Sequence, residues 1–199
     1  MSDQKQITAQ LVNELRKQTG VSLLECKKAL VESNGDIEEA LTILKKKGMA
    51  SAAKKADREA SEGTIQSYIH MGGRVGVMLE LNCETDFVAK NDEFKQLAKD
   101  LCMHIAASSP LYVKREDVPG ELVEKEKEIA AAQTEGKPPA AAEGIIKGKL
   151  DKWFKTICLM EQDYVKDQSQ TVQDILTQAI SKMGENMMVS RFERYQIGG

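Results

Sequence analysis

Apolar residues recur at helical spacing through the first 48 residues of the chain. Each of three amphipathic segments follows a residue type that caps helix N-termini and precedes a glycine that ends helices. The caps are Thr8, Ser22 and Asp36, the stops are Gly20, Gly35 and Gly48, and the inward face includes Leu11, Leu15, Leu30, Leu41 and Leu44. The pattern predicts a three-helix bundle over residues 1–48, with a core that is marginal for folding alone.

The next segment, residues 49–62, differs from the bundle in character. It is rich in alanine and in alternating charges, but it carries almost no apolar stripe. Alanine has the highest helix propensity, whereas a helix without an apolar face has little to bury. We therefore expect an exposed linker helix between two domains.

From Gly63 onwards, parts of the pattern alternate with a period of two. Two strand-like runs, 64–70 and 74–83, flank Met71-Gly72-Gly73, which predicts a β-hairpin. A third strand-like run at 186–197 can extend the hairpin, and the residues between are mostly of helical spacing. The prediction is an α+β fold: residues 63–199 form a core domain with a three-stranded antiparallel sheet packed by helices.

Composition narrows the classes of partner. The formal net charge is −3 for 28 basic and 31 acidic residues, and no half of the chain has the basic excess expected of a nucleic-acid binder. No apolar stretch is long enough to span a membrane, and the N-terminus lacks a secretory signal. The four cysteines are scattered without a C-x-x-C pair, which is typical of cytosolic proteins. We expect a cytoplasmic protein without direct contact to nucleic acid or membrane.

A search for catalytic chemistry finds no supporting group of residues. His70 and His104 lie outside any recognisable catalytic motif, and Gly72-Gly73 fits a turn rather than a phosphate cradle. Cys26 shares a helix face with leucines, which favours a packed thiol over a reactive one. We expect no enzyme, metal site or cofactor. A thiol enzyme that uses Cys26 or Cys83 is retained only as an alternative. Full function after replacement of all four cysteines by alanine would exclude it.

Residues 83–92, CETDFVAKND, join the second strand to the following helix. Phe87 stands directly beside an acid in this charged junction. Two interpretations are open on the residues alone: Phe87 covers the core at a strand-to-helix corner, or it is exposed and contacts another molecule. The first is favoured by residue chemistry, because large aromatics are usually well buried.

Several segments resemble the translation elongation factor Ts family, over essentially the whole chain. They are the run from Thr19 to Leu30, Asn34-Gly35-Asp36, Ala53-Lys54-Lys55 with Glu62-Gly63, Tyr68-Ile69-His70, Gly73-Arg74, Asn82 to Val88, Gly184-Glu185-Asn186 and Arg191-Phe192. The Thr-Asp-Phe-Val segment is the most specific of them. Longer members carry a second core half and an inserted helical hairpin. This chain is similar to the short form with a single core copy, for which the family suggests a homodimer through the core.

The resemblance implies a guanine-nucleotide exchange factor for the GTPase elongation factor Tu. It assigns Asp86 to the surroundings of the partner's Mg²⁺ and Phe87 to a wedge between partner helices. Thr85 would cap the turn that aims both, and Val88 would anchor it. The factor would stabilise the nucleotide-free GTPase until GTP binds.

The resemblance also assigns partner docking to the first bundle, at Arg16, Leu23 and Leu24. Since Leu23 and Leu24 are adjacent, they cannot both face one helix core, so at least one should be exposed. The bundle is similar to ubiquitin-associated (UBA) domains. A non-catalytic adaptor with a UBA-like domain is therefore the alternative function.

Overall fold

The computed structural model describes residues 7–134, 136 and 138–198, and these form an α+β fold as predicted. The helices are α1 (Ala9–Thr19), α2 (Leu23–Glu32), α3 (Ile37–Ala53), α4 (Asp86–Ala89), α5 (Asp92–Ser108), α6 (Gly120–Ala132), α7 (Pro139–Ile157) and α8 (Val172–Met183). The strands are β1 (Glu62–Ile69), β2 (Val75–Cys83), β3 (Asp163–Tyr164), β4 (Asp167–Thr171) and β5 (Met187–Gln196). None of the helices within the described ranges has both the length and the apolar content to cross a membrane.

The chain divides into two compact units. Among the described residues, the first contains 7–63 together with Cys83–Ala89 and Leu176–Met188. The second contains Thr64–Asn82, the described part of 90–175, and residues 189–198. The predicted domain boundaries stay a prediction. The compact units do not coincide with the predicted domains, because two segments of the predicted core domain, Cys83–Ala89 and Leu176–Met188, group with the N-terminal helices.

In the first unit, α1, α2 and α3 pack against one another as the predicted three-helix bundle. All three predicted N-caps are confirmed. Backbone N–H groups donate to the side-chain oxygens of Thr8, Ser22 and Asp36 at 3.2, 3.3 and 2.9 Å. The buried core consists of Val12, Leu15, Cys26, Ala29, Leu30, Ala40 and Leu44, with Leu11 and Leu41 only partly buried at its edge.

The predicted helix stop at Gly48 is wrong, and of the linker helix predicted over residues 49–62 only 49–53 are helical, as the end of α3. Helix α3 continues through Gly48 to Ala53, and turns follow at residues 54–57. A glycine inside a helix costs only about 1 kcal/mol relative to alanine, and the residues after it, Met49 to Ala53, favour helix. A Cβ added at Gly48 would lie 3.7 Å from the Ser181 side chain, so the glycine is not required by crowding either.

The second unit is built on the three-stranded antiparallel sheet, in the order β1-β2-β5, which confirms the predicted third strand. One face of β2 is buried through Val77, Leu79 and Leu81. Helix α5 lies against the sheet, because the Cys102 thiol donates to the Gln66 carbonyl at 3.5 Å and Arg194 donates to the Ala106 carbonyl at 3.2 Å. Its buried residues include the predicted Phe94, Leu97, Ala98, Leu101 and Ile105.

Two features of this unit were not predicted. Helices α6 and α7 pack together as a helical hairpin, a feature that the resemblance gave only to longer members. Strands β3 and β4 pair antiparallel, and they escaped prediction because β3 has two residues and β4, Asp167–Thr171, has no apolar alternation. At the base of the hairpin Arg115 pairs with Glu161 and Asp151 and lies 4.6 Å over the Phe154 ring.

His104 on α5 is fully buried and both of its ring nitrogens have partners. Nε2 lies 2.9 Å from Gln162 Oε1, and the Val165 N–H donates to Nδ1 at 3.2 Å. The Gln162 amide nitrogen donates to the Thr156 carbonyl at 2.9 Å, which leaves its oxygen to accept from Nε2–H. This arrangement fits the neutral imidazole, and burial lowers the pKa of His104 from its ordinary value of 6.5.

We predict that the fold loses stability as the pH falls below about 6.5. The lowered pKa means that the unfolded chain takes up the His104 proton first, so the loss begins at the ordinary pKa and ends at the lowered one. The non-titrating variant His104→Gln should flatten the dependence of the unfolding free energy on pH in this window, measured by urea denaturation. His70→Gln controls for removing an exposed histidine. An unchanged slope in His104→Gln would contradict the assignment.

Candidate functional site

The segment between β2 and α5 contains the predicted exchange residues on a short, capped turn. The Thr85 hydroxyl accepts the Val88 N–H at 3.4 Å, and the Thr85 carbonyl accepts the Ala89 N–H at 3.1 Å. Thr85 is therefore the cap of α4, as predicted. Helix α4 has four residues and buries none of them.

Phe87 projects from this turn into solvent, with 82% of its surface exposed. The interpretation of Phe87 as a cover for the core is therefore wrong. Its exposure is confirmed, whereas its contact with another molecule stays a prediction. Asp86 and Val88 on either side are partly buried, so Val88 gives the turn only a partial apolar anchor. An isolated four-residue helix with little apolar burial needs other contacts to keep its shape.

The carboxylate of Glu185 supplies these contacts. Its Oε2 accepts the backbone N–H groups of Glu84 and Thr85 at 3.1 and 3.0 Å. Its Oε1 accepts the Thr85 hydroxyl at 2.6 Å. One side chain thus fixes the two peptide groups that precede α4 and the hydroxyl that caps it. Bonds to a charged acceptor are about twice as strong as bonds between neutral groups.

A second set of bonds runs in the opposite direction. The Asn186 N–H donates to Glu84 Oε1 at 2.6 Å, so each acid accepts a backbone N–H from the other acid's segment. The buried Asn186 side chain donates to the carbonyls of Ala56 and Arg58 at 3.3 and 2.8 Å. The Arg58 guanidinium also lies 3.4 Å from Glu84 Oε1. The turn, the end of α8 and the segment after α3 are therefore connected by hydrogen bonds.

Sequence reasoning missed Glu84, Glu185, Asn186 and Arg58 as parts of this site. The available signal was the Gly184-Glu185-Asn186 segment, where Gly184 has the positive φ of 81° that ends α8. A polar pair directly after a helix stop is compatible with many solvated loops. The partner of Glu185 lies 100 residues earlier in the chain, and no local pattern predicts such a pairing.

The predicted docking residues lie on the bundle of the same compact unit. Arg16 is exposed in the last turn of α1. Leu23 and Leu24, in the first turn of α2, are 46% and 62% exposed. Both leucines are exposed, whereas adjacency required only one to be. Their exposure leaves both leucines available to a partner, as the docking prediction requires.

The groups that could carry out chemistry are inert or dispersed. All four cysteines are buried, and burial raises the pKa of the Cys83 thiol to about 11, helped by the negative charge of Glu185. A thiol of this kind is protonated at neutral pH and is a poor nucleophile. The part of the chain that the structure describes contains no cluster of three or more His, Cys, Asp or Glu residues suited to a metal ion.

The exposed apolar side chains of the predicted site thus lie on a hydrogen-bonded turn and on a small helical bundle. The comparisons with known proteins identify the family of the chain. A family model described as "Elongation factor TS" matches residues 3–199. The chain belongs to the elongation factor Ts family, and this membership supports a role in translation elongation.

Curated proteins named Elongation factor Ts match over nearly their full length. The protein from Thermodesulfovibrio yellowstonii is 56% identical over 96% of this chain and 96% of its own. The protein from Geobacter sulfurreducens is 58% identical over 96% of this chain and 90% of its own. The protein from Thermotoga sp. strain RQ2 is 54% identical over 97% of each chain. These relatives are of similar length to this chain.

We predict that none of the four cysteines reacts rapidly with a thiol reagent in the folded protein, because all are buried. Labelling with Ellman's reagent at neutral pH should release little thionitrobenzoate from the native protein. After denaturation it should release four equivalents, one for each cysteine in the sequence. Fast stoichiometric labelling of Cys83 in the native state would contradict the burial and reopen the alternative of a thiol enzyme.

Proposed function

We propose that this protein is a guanine-nucleotide exchange factor that acts on elongation factor Tu. Such a factor makes and breaks no covalent bond, so it is not an enzyme in the sense of bond chemistry. It needs only to bind the nucleotide-free GTPase more tightly than the GDP-bound one. The coupling is reciprocal, since GDP then weakens the binding of the factor as much as the factor weakens GDP. The observation that carries the proposal is Phe87, 82% exposed on a turn held by hydrogen bonds.

Phe87 acts as the wedge in this mechanism. Its ring gains little in water, whereas burial between two elements of the partner contributes about 1.5–3 kcal/mol. If the partner opens this space only when its nucleotide site is distorted, the gain is available in the nucleotide-free state alone. A coupling of about 1.4 kcal/mol changes an affinity tenfold, so one buried ring accounts for a substantial part of the exchange effect.

Asp86, directly before the ring, acts on the partner's Mg²⁺ site. Mg²⁺ in nucleotide sites keeps several water ligands, which need hydrogen-bond partners of their own. A carboxylate inserted nearby competes with these partners for the protons of the water ligands. This competition weakens the ion's hold on GDP. The release of Mg²⁺ then removes the contact between the ion and the phosphates of GDP.

Arg16, Leu23 and Leu24 form the docking surface. The exposed leucines supply apolar anchors, and Arg16 supplies a charge at the edge of the contact. Because the bundle and the Phe87 turn belong to one compact unit, docking raises the effective concentration of the wedge at its target. The protein would do this work in the cytoplasm, where translation takes place.

An adaptor built on the UBA-like bundle is the alternative function. It is supported by the same exposed leucines, since a docking bundle needs no exchange activity. The two functions differ in one observable, the rate at which the partner GTPase loses GDP. An adaptor binds without changing this rate, whereas an exchange factor accelerates it.

We also propose that two copies associate through the core. The face of the sheet opposite α5 carries apolar side chains that are more than half exposed. They are Ile65 and Ile69 of β1, Met78 of β2, Tyr195 of β5 and Ile197. A sheet face of this kind is normally covered, and a second copy presents the same surface to it, as a two-fold interface requires.

Phe87→Ala should leave the fold intact and lower the acceleration of GDP release about 10- to 100-fold, because an exposed ring contributes only to the complex. Release of a fluorescent GDP analogue from elongation factor Tu, followed by stopped flow, measures the effect. Leu111→Ala, at another exposed apolar residue, is the matched control. Full exchange activity in Phe87→Ala would rule out the wedge.

Met78→Glu should convert a dimer into monomers, because it introduces a charge into the centre of the exposed sheet face. Light scattering coupled to size exclusion gives the mass directly. Val31→Glu, on an exposed position of α2, adds the same charge outside the sheet and should leave the mass unchanged. A monomeric wild-type protein at micromolar concentration would refute the dimer.

A further inference from the structure

We propose that Glu185 is a positioning residue for Phe87: its carboxylate keeps the turn in the shape that inserts the ring into the partner. The proposal rests on the exchange function above and assigns that function a residue 98 positions away from the wedge, on a different segment of the chain. Glu185 lies two residues after the end of α8 and is itself only partly exposed. Its contacts reach the backbone that leads into α4 rather than the ring.

The geometry of the three bonds makes Glu185 more than a neighbour. The Thr85 hydroxyl gives its only proton to Glu185 Oε1 at 2.6 Å. The hydroxyl lone pairs are then directed to accept the Val88 N–H, at 3.4 Å, which closes α4. Glu185 therefore fixes the rotamer of the capping threonine together with the two peptide groups that lead into α4, the turn that presents Phe87.

The turn buries little of its own surface. Helix α4 is a single turn without a buried residue, and nucleation of such a turn is unfavourable on its own. Phe87 contributes no packing in the free protein because its ring is exposed. The Cys83 thiol donates to the Thr85 carbonyl at 3.2 Å, but a thiol is a weak donor. The Glu185 carboxylate, a charged acceptor that receives three donors, is thus a strong constraint on this backbone.

Glu185 is in turn held in place by its neighbour. The Asn186 N–H bonds to Glu84, and the Asn186 amide bonds to the carbonyls of Ala56 and Arg58. These bonds prevent the segment after α8 from moving away from the turn. The apparent affinity for the partner is proportional to the fraction of molecules that already have the binding-competent shape. Preorganised positioning of this kind raises that fraction.

A substitution series separates position from charge. Gln keeps the length of the side chain, and its amide can offer the oxygen to the two N–H groups and the NH₂ to Thr85. Asp keeps the charge but is one methylene too short to reach all three donors. Positioning predicts the smallest loss for Glu185→Gln, which can keep the two backbone bonds as weaker neutral ones, and a loss of about tenfold for both Glu185→Asp and Glu185→Ala. The reverse order, with Asp active and Gln inactive, would show an electrostatic role and overturn the proposal.

A double-mutant cycle shows whether Glu185 acts through Phe87. If it does, Glu185→Ala costs about tenfold in the wild-type background and little in Phe87→Ala, because no ring remains to be positioned. Equal losses in both backgrounds would show that Glu185 acts by another route. The readout is the acceleration of GDP-analogue release, with the free energy of unfolding measured for every variant.

Asp174→Ala controls for a general loss of stability. Asp174 also accepts a backbone N–H, from Thr171 at 3.2 Å, but it lies in the first turn of α8, roughly 15 Å along the helix axis from its end. This variant should lose stability without a comparable loss of exchange. If it loses exchange in proportion to Glu185→Ala, the effect of Glu185 is only structural and the proposal fails. Failure of the wild-type protein to accelerate release would overturn the exchange function together with the proposal.

Discussion

The bond network around the Glu185 carboxylate is the constraint on which the rest of the site depends. Packing of an aromatic ring onto a nearby apolar surface is favourable in water. Phe87 is nevertheless exposed, on a backbone that polar bonds to Glu185 hold in place. The two acids of the site, Glu84 and Glu185, satisfy each other's neighbouring peptide groups, so the turn is stabilised without consuming the apolar side chain that it presents.

The compact units give this arrangement a functional logic. The first unit combines the helical bundle, the Phe87 turn and the end of α8, so the surfaces proposed for docking and for exchange share one body. Asn186 ties this body together at the carbonyls of Ala56 and Arg58, directly after α3. The second unit has its own sheet and its own buried polar network around His104. Its exposed sheet face is the surface proposed for self-association.

Much of the fold could be predicted from local sequence patterns, but only part of the candidate site could. The caps at Thr8, Ser22 and Asp36 and the alternation in β2 are local signals, and the structure follows them. The helix stop predicted at Gly48 was wrong because a single glycine ends a helix only weakly when alanines follow it. The exposure of Phe87 could not be derived from its own segment, since residue chemistry favoured burial. The turn that presents it is held by Glu185, which pairs with Thr85 across 100 residues, and only the tertiary structure reveals that pairing.

The central claim is that the turn bearing Phe87 is already formed in the free protein. Hydrogen exchange of the individual Glu84 and Thr85 amides, followed by NMR in the absence of any partner, tests it most directly. Both amides donate to Glu185, so the account predicts exchange slowed at least about 100-fold relative to an unstructured peptide. Exchange of these two amides at the rate of unstructured backbone would show that the turn forms only on binding and would contradict the account.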